Sequence, residues 1–495
     1  MRTIANAMPK MHSTKRGQSP IYHTTIPISI KDLLYRAALV DVIYDTRGML
    51  SMPSDNGSAA AHCHLLYISP LSLGCPFRVQ KFLFPAVSAV EVFIRKPGQG
   101  ALTGCYYPEP AETRGIPIPL VCKNRKERIK AIAETLSFGW YDVVCLQEVW
   151  SNKDYFFIKD TVTNVLPFSH YFHSGVMGSG ICIFSKYPIQ DTFFHQWPLN
   201  GYIHKIHHAD WFGGKGVGLC KLTVDNYTVH VYSAHLHAVY NQNFDEYEAH
   251  RILQAYDTAQ FISLTSEGAD LVILAGDLNT EPGDLAYKLM LNVAGLVDSF
   301  LVAERMLNAD KHGTCQSLCN SYTPSNLVKK KIPGVRIDYI MYHPGSKLKV
   351  VLQDYRLPLP DRVQDRSFSY SDHEAVEATI AISEKKVEGT EVDIVERQNI
   401  FKDCLVILNH ALDRLKTHKT VYLLFAIILS ALLIMSLVFE TPKGYLVLFN
   451  IARAVMSILI FVCLLLAFIW NNMERNAILA GKLAIEVGLT KYSES

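Results

Sequence analysis

The 495-residue chain has no excess of either charge: 48 Lys and Arg stand against 46 Asp and Glu, a net charge of +2. That balance excludes the broad basic field that holds long nucleic acid by its phosphates, so no nucleic-acid partner is expected. Met1–Ile30 has basic residues but no continuous apolar segment, and no secretory leader is expected there. A zinc-finger spacing is also missing, because Cys315 and Cys319 have no second pair nearby. The 11 cysteines are odd in number and scattered. Cys145, Cys182, Cys220 and Cys463 sit in apolar runs, where cysteine behaves as a small buried hydrophobe in a reducing compartment. With 49% hydrophobic residues, the chain has ample material for a core.

Three textures follow one another. Residues 1–113 are irregular, broken by Pro, Ser and Gly, and carry no recognisable motif. Their His62-Cys63-His64 triplet resembles a ligand set but reads as an exposed loop. Residues 114–385 alternate helix and strand. Ile129, Ile132, Ala133 and Leu136 have helical spacing, and Asp142–Leu146 forms a short buried strand ending at Gln147-Glu148. Further strands are expected at 180–184, 216–224, 227–234, 270–275, 336–342 and 374–382, with a long amphipathic helix at about 245–264. The pattern predicts a layered α/β domain with mixed sheets.

A linker at 386–420 leads to the third texture. Residues 421–439 are 19 uncharged residues, close to the ~20 that span a bilayer as a helix. A polar turn with Pro442 and Gly444 precedes a second apolar run, 446–470, which contains Arg453. Two such runs in succession predict a helical hairpin in lipid, followed by a tail at 471–495. Arg414, Lys416 and Lys419 before the hairpin, and Arg475, Lys482 and Lys491 after it, outnumber Lys443 in the turn. The bias places both flanks, and the large domain, in the cytosol. An intracellular membrane such as that of the endoplasmic reticulum or Golgi is expected, and Asn226-Tyr227-Thr228 is expected to be an unused glycosylation acceptor.

Carboxylates and histidines stand at the ends of predicted strands: Gln147-Glu148, His235-Leu236-His237, Gly276-Asp277-Leu278-Asn279, Arg336-Ile337-Asp338-Tyr339 and Ser371-Asp372-His373. A hydrophobic strand gains nothing by ending in a carboxylate, whereas a cluster of them with histidines suits phosphate-ester chemistry. Each motif alone has a plainer reading, as a turn, a helix cap or an edge ion pair. Lys215 suggests a phosphate loop, but that pattern needs Gly at 209 and Ser or Thr at 216, where the chain has Ala209 and Gly216. Trp211-Phe212 between polar and glycine residues suits either a loop dipping into a bilayer interface or a buried aromatic pair. His237 fits equally a substrate-side or a packing role.

In this order the motifs resemble the endonuclease/exonuclease/phosphatase (DNase I-like) superfamily. The stretches Phe172–Gly180 and Asp210–Gly216, His235-Leu236-His237-Ala238 and the C-terminal hairpin narrow the resemblance to membrane-anchored neutral sphingomyelinases. That resemblance implies a four-layer α/β sandwich and Mg²⁺-dependent hydrolysis of sphingomyelin to ceramide and phosphocholine at a membrane. It implies Glu148 as the Mg²⁺ ligand, with Asp372 as an outer or water-mediated contact. His373 is implied as the general base and Asp338 as its orienting carboxylate. His235 and Asn279 are implied to hold phosphate oxygens, and Asp277 to position the water or leaving group. Trp211, Phe212, Lys215 and His237 are candidates for a substrate or membrane loop. Rival readings are a phosphoinositide phosphatase or nuclease of the same fold, or an impaired homologue that binds lipid without turnover. One departure stands out. The family opens on a strand carrying an Asn before Cys-Trp-Gly-Ile-Pro, whereas here Glu112-Thr113-Arg114 precede Gly115-Ile116-Pro117. The first core strand and its amide are therefore expected to be missing.

Overall fold

The computed structural model describes residues 77–84 and 123–493, apart from 206, 207, 209, 242–243, 308–312, 346–348, 360–361 and 384–393. The His62-Cys63-His64 triplet and the Gly115-Ile116-Pro117 stretch lie outside the described residues.

Two six-stranded sheets form the centre. The first contains β1 (Phe77–Phe84), β2 (Val143–Leu146), β3 (Phe168–Tyr171), β4 (Cys182–Ser185), β11 (Lys349–Arg356) and β12 (Val376–Ser383), in the order β11-β12-β1-β2-β4-β3. The second contains β5 (Ile189–Gln196), β6 (Gly216–Val224), β7 (Tyr227–His235), β8 (Leu271–Asp277), β9 (Val297–Asp298) and β10 (Asp338–Pro344), in the order β5-β6-β7-β8-β10-β9. Apolar side chains of both sheets meet in one core, including Val143, Ile183, Cys220, Val231, Ile273, Ile340 and Ile380. Helices α1 (Arg125–Leu136) and α2 (Asn152–Val162) cover the outer face of the first sheet with Ile129, Ile132, Leu136 and Ile158. The outer face of the second sheet packs on α3 (Glu248–Thr265) and α4 (Leu285–Ala294), with Ile252, Ala259, Leu289 and Met290 buried. Helix, sheet, sheet, helix make four layers, as expected.

The expected loss of the first strand does not hold. β1 fills the slot between β12 and β2, parallel to β2 (Phe82 opposite Val143) and antiparallel to β12. Its residues, Phe-Arg-Val-Gln-Lys-Phe-Leu-Phe, include no asparagine.

Beyond two short helices, α5 (Ser299–Leu307) and α6 (Ser325–Lys329), the chain ends in an all-helical arm. α7 (Ile394–Val438) is one 45-residue helix, so most of the sequence-defined linker and the first apolar run share one continuous backbone. Its first half buries Ile400, Phe401, Cys404, Leu408 and Leu415 against the domain. Its second half exposes Leu424, Phe425, Ile427, Ile428 and Leu437. α8 (Leu446–Leu465) returns alongside it, and Arg453 reaches across to the backbone oxygen and hydroxyl of Ser436. A π-helical turn, Leu466–Trp470, leads into α9 (Asn471–Ser493). This last helix lies back on the domain: Gly481 packs so closely that a Cβ there would stand 2.2 Å from Leu253 Cδ2. Both apolar helices are long and apolar enough to cross a membrane.

Candidate active site

Strand register assembles the centre of the site. On β7, β8 and β10, neighbours across the second sheet, His235 pairs with Asp277 and Asp277 with Asp338. The parallel β7–β8 pair is buried over most of its length, so these polar residues appear only where the strands end. The glycine of Gly276-Asp277-Leu278-Asn279 is required by this packing. It has φ +150°, and a Cβ there would sit 1.9 Å from the Ala234 carbonyl oxygen. From the facing sheet, β2 ends in Gln147-Glu148, and Glu148 is held at φ +57°, a strained conformation for a residue with a side chain.

His373 completes the centre. Its Nδ1 lies 3.0 Å from Asp338 Oδ2, and its backbone N–H donates to Ser371 Oγ. Burial opposes the imidazolium, but Cys315 and Asp338 outweigh it and hold the His373 pKa well above the usual range. Asp338 is fixed in turn by Thr314, whose Oγ1 accepts the Asp338 and Ile337 backbone N–H groups at 3.1 and 3.0 Å. Thr314 and Cys315 lie in a loop between α5 and α6; Thr314 belongs to no motif, and Cys315 stands out in the sequence only as half of an incomplete zinc spacing.

The remaining candidates divide. Asn279 donates its backbone N–H to Asp277 Oδ1 at 2.9 Å and its side-chain amide to the Leu236 carbonyl at 3.1 Å. Lys215 is only 2% exposed, and its ammonium lies 2.7 Å from Asp210 Oδ1 and 3.2 Å from His235 Nε2. Toward that ammonium His235 Nε2 can only accept, while Asp277 Oδ2 lies 3.5 Å from the same nitrogen. Burial and Lys215 both push the His235 pKa well below the ordinary value. For Asp210, burial raises the carboxyl, but Lys215 and His237 outweigh burial and hold its pKa far below the usual range. His237 lies among packed side chains. It is fully buried, stacks on Tyr247 at 3.9 Å and reaches Asp210 Oδ2 at 3.6 Å. Its pKa is lowered to about 4, with burial the largest cause.

The glycine-rich stretches form one structure. Val176 and Met177 donate backbone N–H groups to the Phe212 carbonyl, and Gly214 donates to Gly178. Cβ atoms at Gly180 and Gly213 would press on the Trp150 ring at 3.1 and 3.2 Å, which ties both stretches to the Glu148 turn. Trp211 is half-buried and meets Trp470 at the end of the second apolar run, with ring centroids 6.4 Å apart. Asp210 and Trp211 thus join the polar site to the helical arm within two residues.

The site also fits a divalent cation. Glu148 Oε2 is buried without a hydrogen-bond partner among the described residues. Burial and then the Asp372 carboxylate push the Glu148 pKa to about 7, and burial and then Asp338 do the same to Asp277. Carboxyls forced toward the neutral form beside an orphaned oxygen are a donor set short of positive charge, and hard oxygen donors suit Mg²⁺. Oxygen and nitrogen atoms of Asp277, Asp338 and His373 also lie within 4.8 Å of one another. His373 Nδ1 is already committed to Asp338, however, which leaves Glu148 with Asp372 as the better pair.

Over residues 122–373 the chain matches the endonuclease/exonuclease/phosphatase family. The chain belongs to that family. A Drosophila melanogaster protein assigned to the neutral sphingomyelinases is 38% identical over 424 residues, 75% of this chain and 94% of that protein. Sphingomyelin phosphodiesterase 2 of Mus musculus is 40% identical over 266 residues, 54% of this chain and 63% of that protein. An inositol phosphosphingolipids phospholipase C of Schizosaccharomyces pombe is 30% identical over 317 residues, 60% of this chain and 73% of that protein. As a member of the endonuclease/exonuclease/phosphatase family with such relatives, the chain is a phosphoric diester hydrolase.

Proposed function

We propose that this hydrolase cleaves sphingomyelin or a related choline phospholipid to ceramide and phosphocholine, with Mg²⁺, at the surface of the membrane that holds its arm. The observation that carries the chemistry is the His373–Asp338 pair beside the orphaned Glu148 carboxylate. Support for the substrate comes from the relatives named for sphingomyelin and inositol phosphosphingolipid hydrolysis.

In this reading Asp338 takes the His373 Nδ1–H, so that Nε2 is left to accept a proton from the attacking water. Lys215, held by Asp210, presents an ammonium beside His235, and Asn279 has a second amide hydrogen for a phosphoryl oxygen. Glu148, with Asp372 behind it, would hold the cation, which when bound offsets charge developing on the phosphoryl group. The arm keeps the domain at the surface where the scissile bond lies.

The test is phosphocholine release from sphingomyelin in mixed micelles, with Mg²⁺ and then with EDTA, comparing the full chain with His373→Ala. Release that needs Mg²⁺ and vanishes in the variant is expected. Equal or faster release from an inositol phosphosphingolipid would shift the headgroup assignment. No release of either from folded protein would sink the catalytic reading.

A further inference from the structure

A cavity of ≈ 260 Å³ opens where the second apolar run meets the domain. It is lined by Trp197, Trp211, Trp470, Met473 and Glu474, and by backbone at Gly201 and Gly214. His373, His235, Asp277, Asp338 and Glu148 do not line it. Trp470 ends the apolar run, at the depth of the lipid headgroups, where tryptophan is favoured.

The lining has an uncommon composition. Glu474 makes no hydrogen bond or ion pair among the described residues, and burial alone pushes its pKa up to about 8. It shares the lining with three indoles, a thioether and the Gln196 and Asn200 amides, and with no cationic side chain. A primary ammonium or a guanidinium is held by several hydrogen-bond acceptors. A quaternary ammonium needs none: indole faces are its usual surroundings, and its charge would favour the ionised form of the Glu474 carboxyl.

We propose that this cavity holds the phosphocholine headgroup of an intact bilayer lipid, as a site separate from the reaction centre. Glu474 and the indole faces take the trimethylammonium. The site fastens the junction of α8 and α9 to the headgroup layer and so sets the height of the Asp210–Lys215 turn above the bilayer. The inference rests on the membrane reading of the helical arm and not on the reaction.

The test uses the full chain in maltoside micelles without Mg²⁺, with bound lipid counted by native mass spectrometry. The probes are short-chain phosphatidylcholine, sphingomyelin and phosphatidylglycerol. Phosphatidylcholine and sphingomyelin should be retained alike, and phosphatidylglycerol roughly tenfold less, a difference of about 1.4 kcal/mol. Glu474→Gln, nearly the same shape, should lose that preference, and Glu474→Lys should reverse it toward phosphatidylglycerol. His373→Ala should keep it. Unchanged phosphatidylcholine retention in folded Glu474→Gln would overturn the proposal. So would retention of sphingomyelin alone, or its loss in His373→Ala, since either places the lipid at the reaction centre.

Discussion

His373 Nδ1 is 3.0 Å from Asp338 Oδ2, and this one contact fixes which face of the imidazole is free. The partner residue stands at the start of β10, where the Ile337 and Asp338 backbone N–H groups both donate to Thr314 Oγ1 and fix the backbone that carries the carboxylate. Asp338→Asn keeps the shape but removes the charge that favours the imidazolium. We expect turnover to fall by about 10²–10⁴, the range of positioned proton transfer, with KM little changed. Steady-state kinetics on sphingomyelin micelles checks this; a matching rise in KM would mean that Asp338 acts on binding instead.

A divalent cation at Glu148 makes a second prediction. Glu148→Gln keeps a side-chain oxygen but removes the charge, so the Mg²⁺ concentration for half-maximal activity should rise at least ~10-fold, about 1.4 kcal/mol of binding. The maximal rate at saturating Mg²⁺ should fall less than in His373→Ala. A Mg²⁺ titration of both variants decides it, and an unchanged midpoint would move the cation to the Asp277 side of the cluster.

Most of this centre was legible because its residues sit in short motifs at strand ends, where a polar residue interrupts an apolar run. Glu148, Asp277, Asp338 and His373 are of this kind. β1 was not legible, because its place is decided by pairing with β12, almost 300 residues away, and not by its own alternation. The 45-residue α7 was read as linker plus span because its composition changes partway, while the helical backbone does not. Lys215 was read as a failed phosphate loop and as a candidate for a substrate or membrane loop, not as a residue beside His235. Its position depends on a glycine-rich turn whose path no periodicity reveals, and Cys315 reaches His373 through a loop for the same reason.

Lys215 and Asp210 yield a third prediction. The pair is buried at 2.7 Å, so removing one member leaves the other charged and unmatched. Lys215→Met should cost about 3–5 kcal/mol, while Lys215→Met with Asp210→Asn should recover a good part of that loss. Chemical denaturation of the three variants gives the coupling directly. Additive losses would mean that the contact contributes little and that each residue packs independently.

The last prediction concerns acid. His250 is fully buried, its two ring nitrogens have no hydrogen-bond partner among the described residues, and it packs edge-on against Tyr202 and Tyr247. Burial, then His237 and Arg414, push its pKa well below the usual 6.5, and His237 is lowered to about 4. For a base with a lowered folded pKa, the unfolded chain binds the proton more readily. The stability contribution is therefore fully present above about pH 6.5 and is lost as pH falls toward 4. His250→Phe fills the same space with a ring that needs no partner and cannot charge. We expect the variant to be at least as stable as the parent at pH 7.5, and its unfolding temperature to fall less between pH 7 and pH 4.5. Thermal unfolding across that range checks both statements. If the two pH profiles are parallel, acid sensitivity lies outside this histidine cluster, and the buried His250 ring is as costly to charge in the unfolded chain as in the folded one.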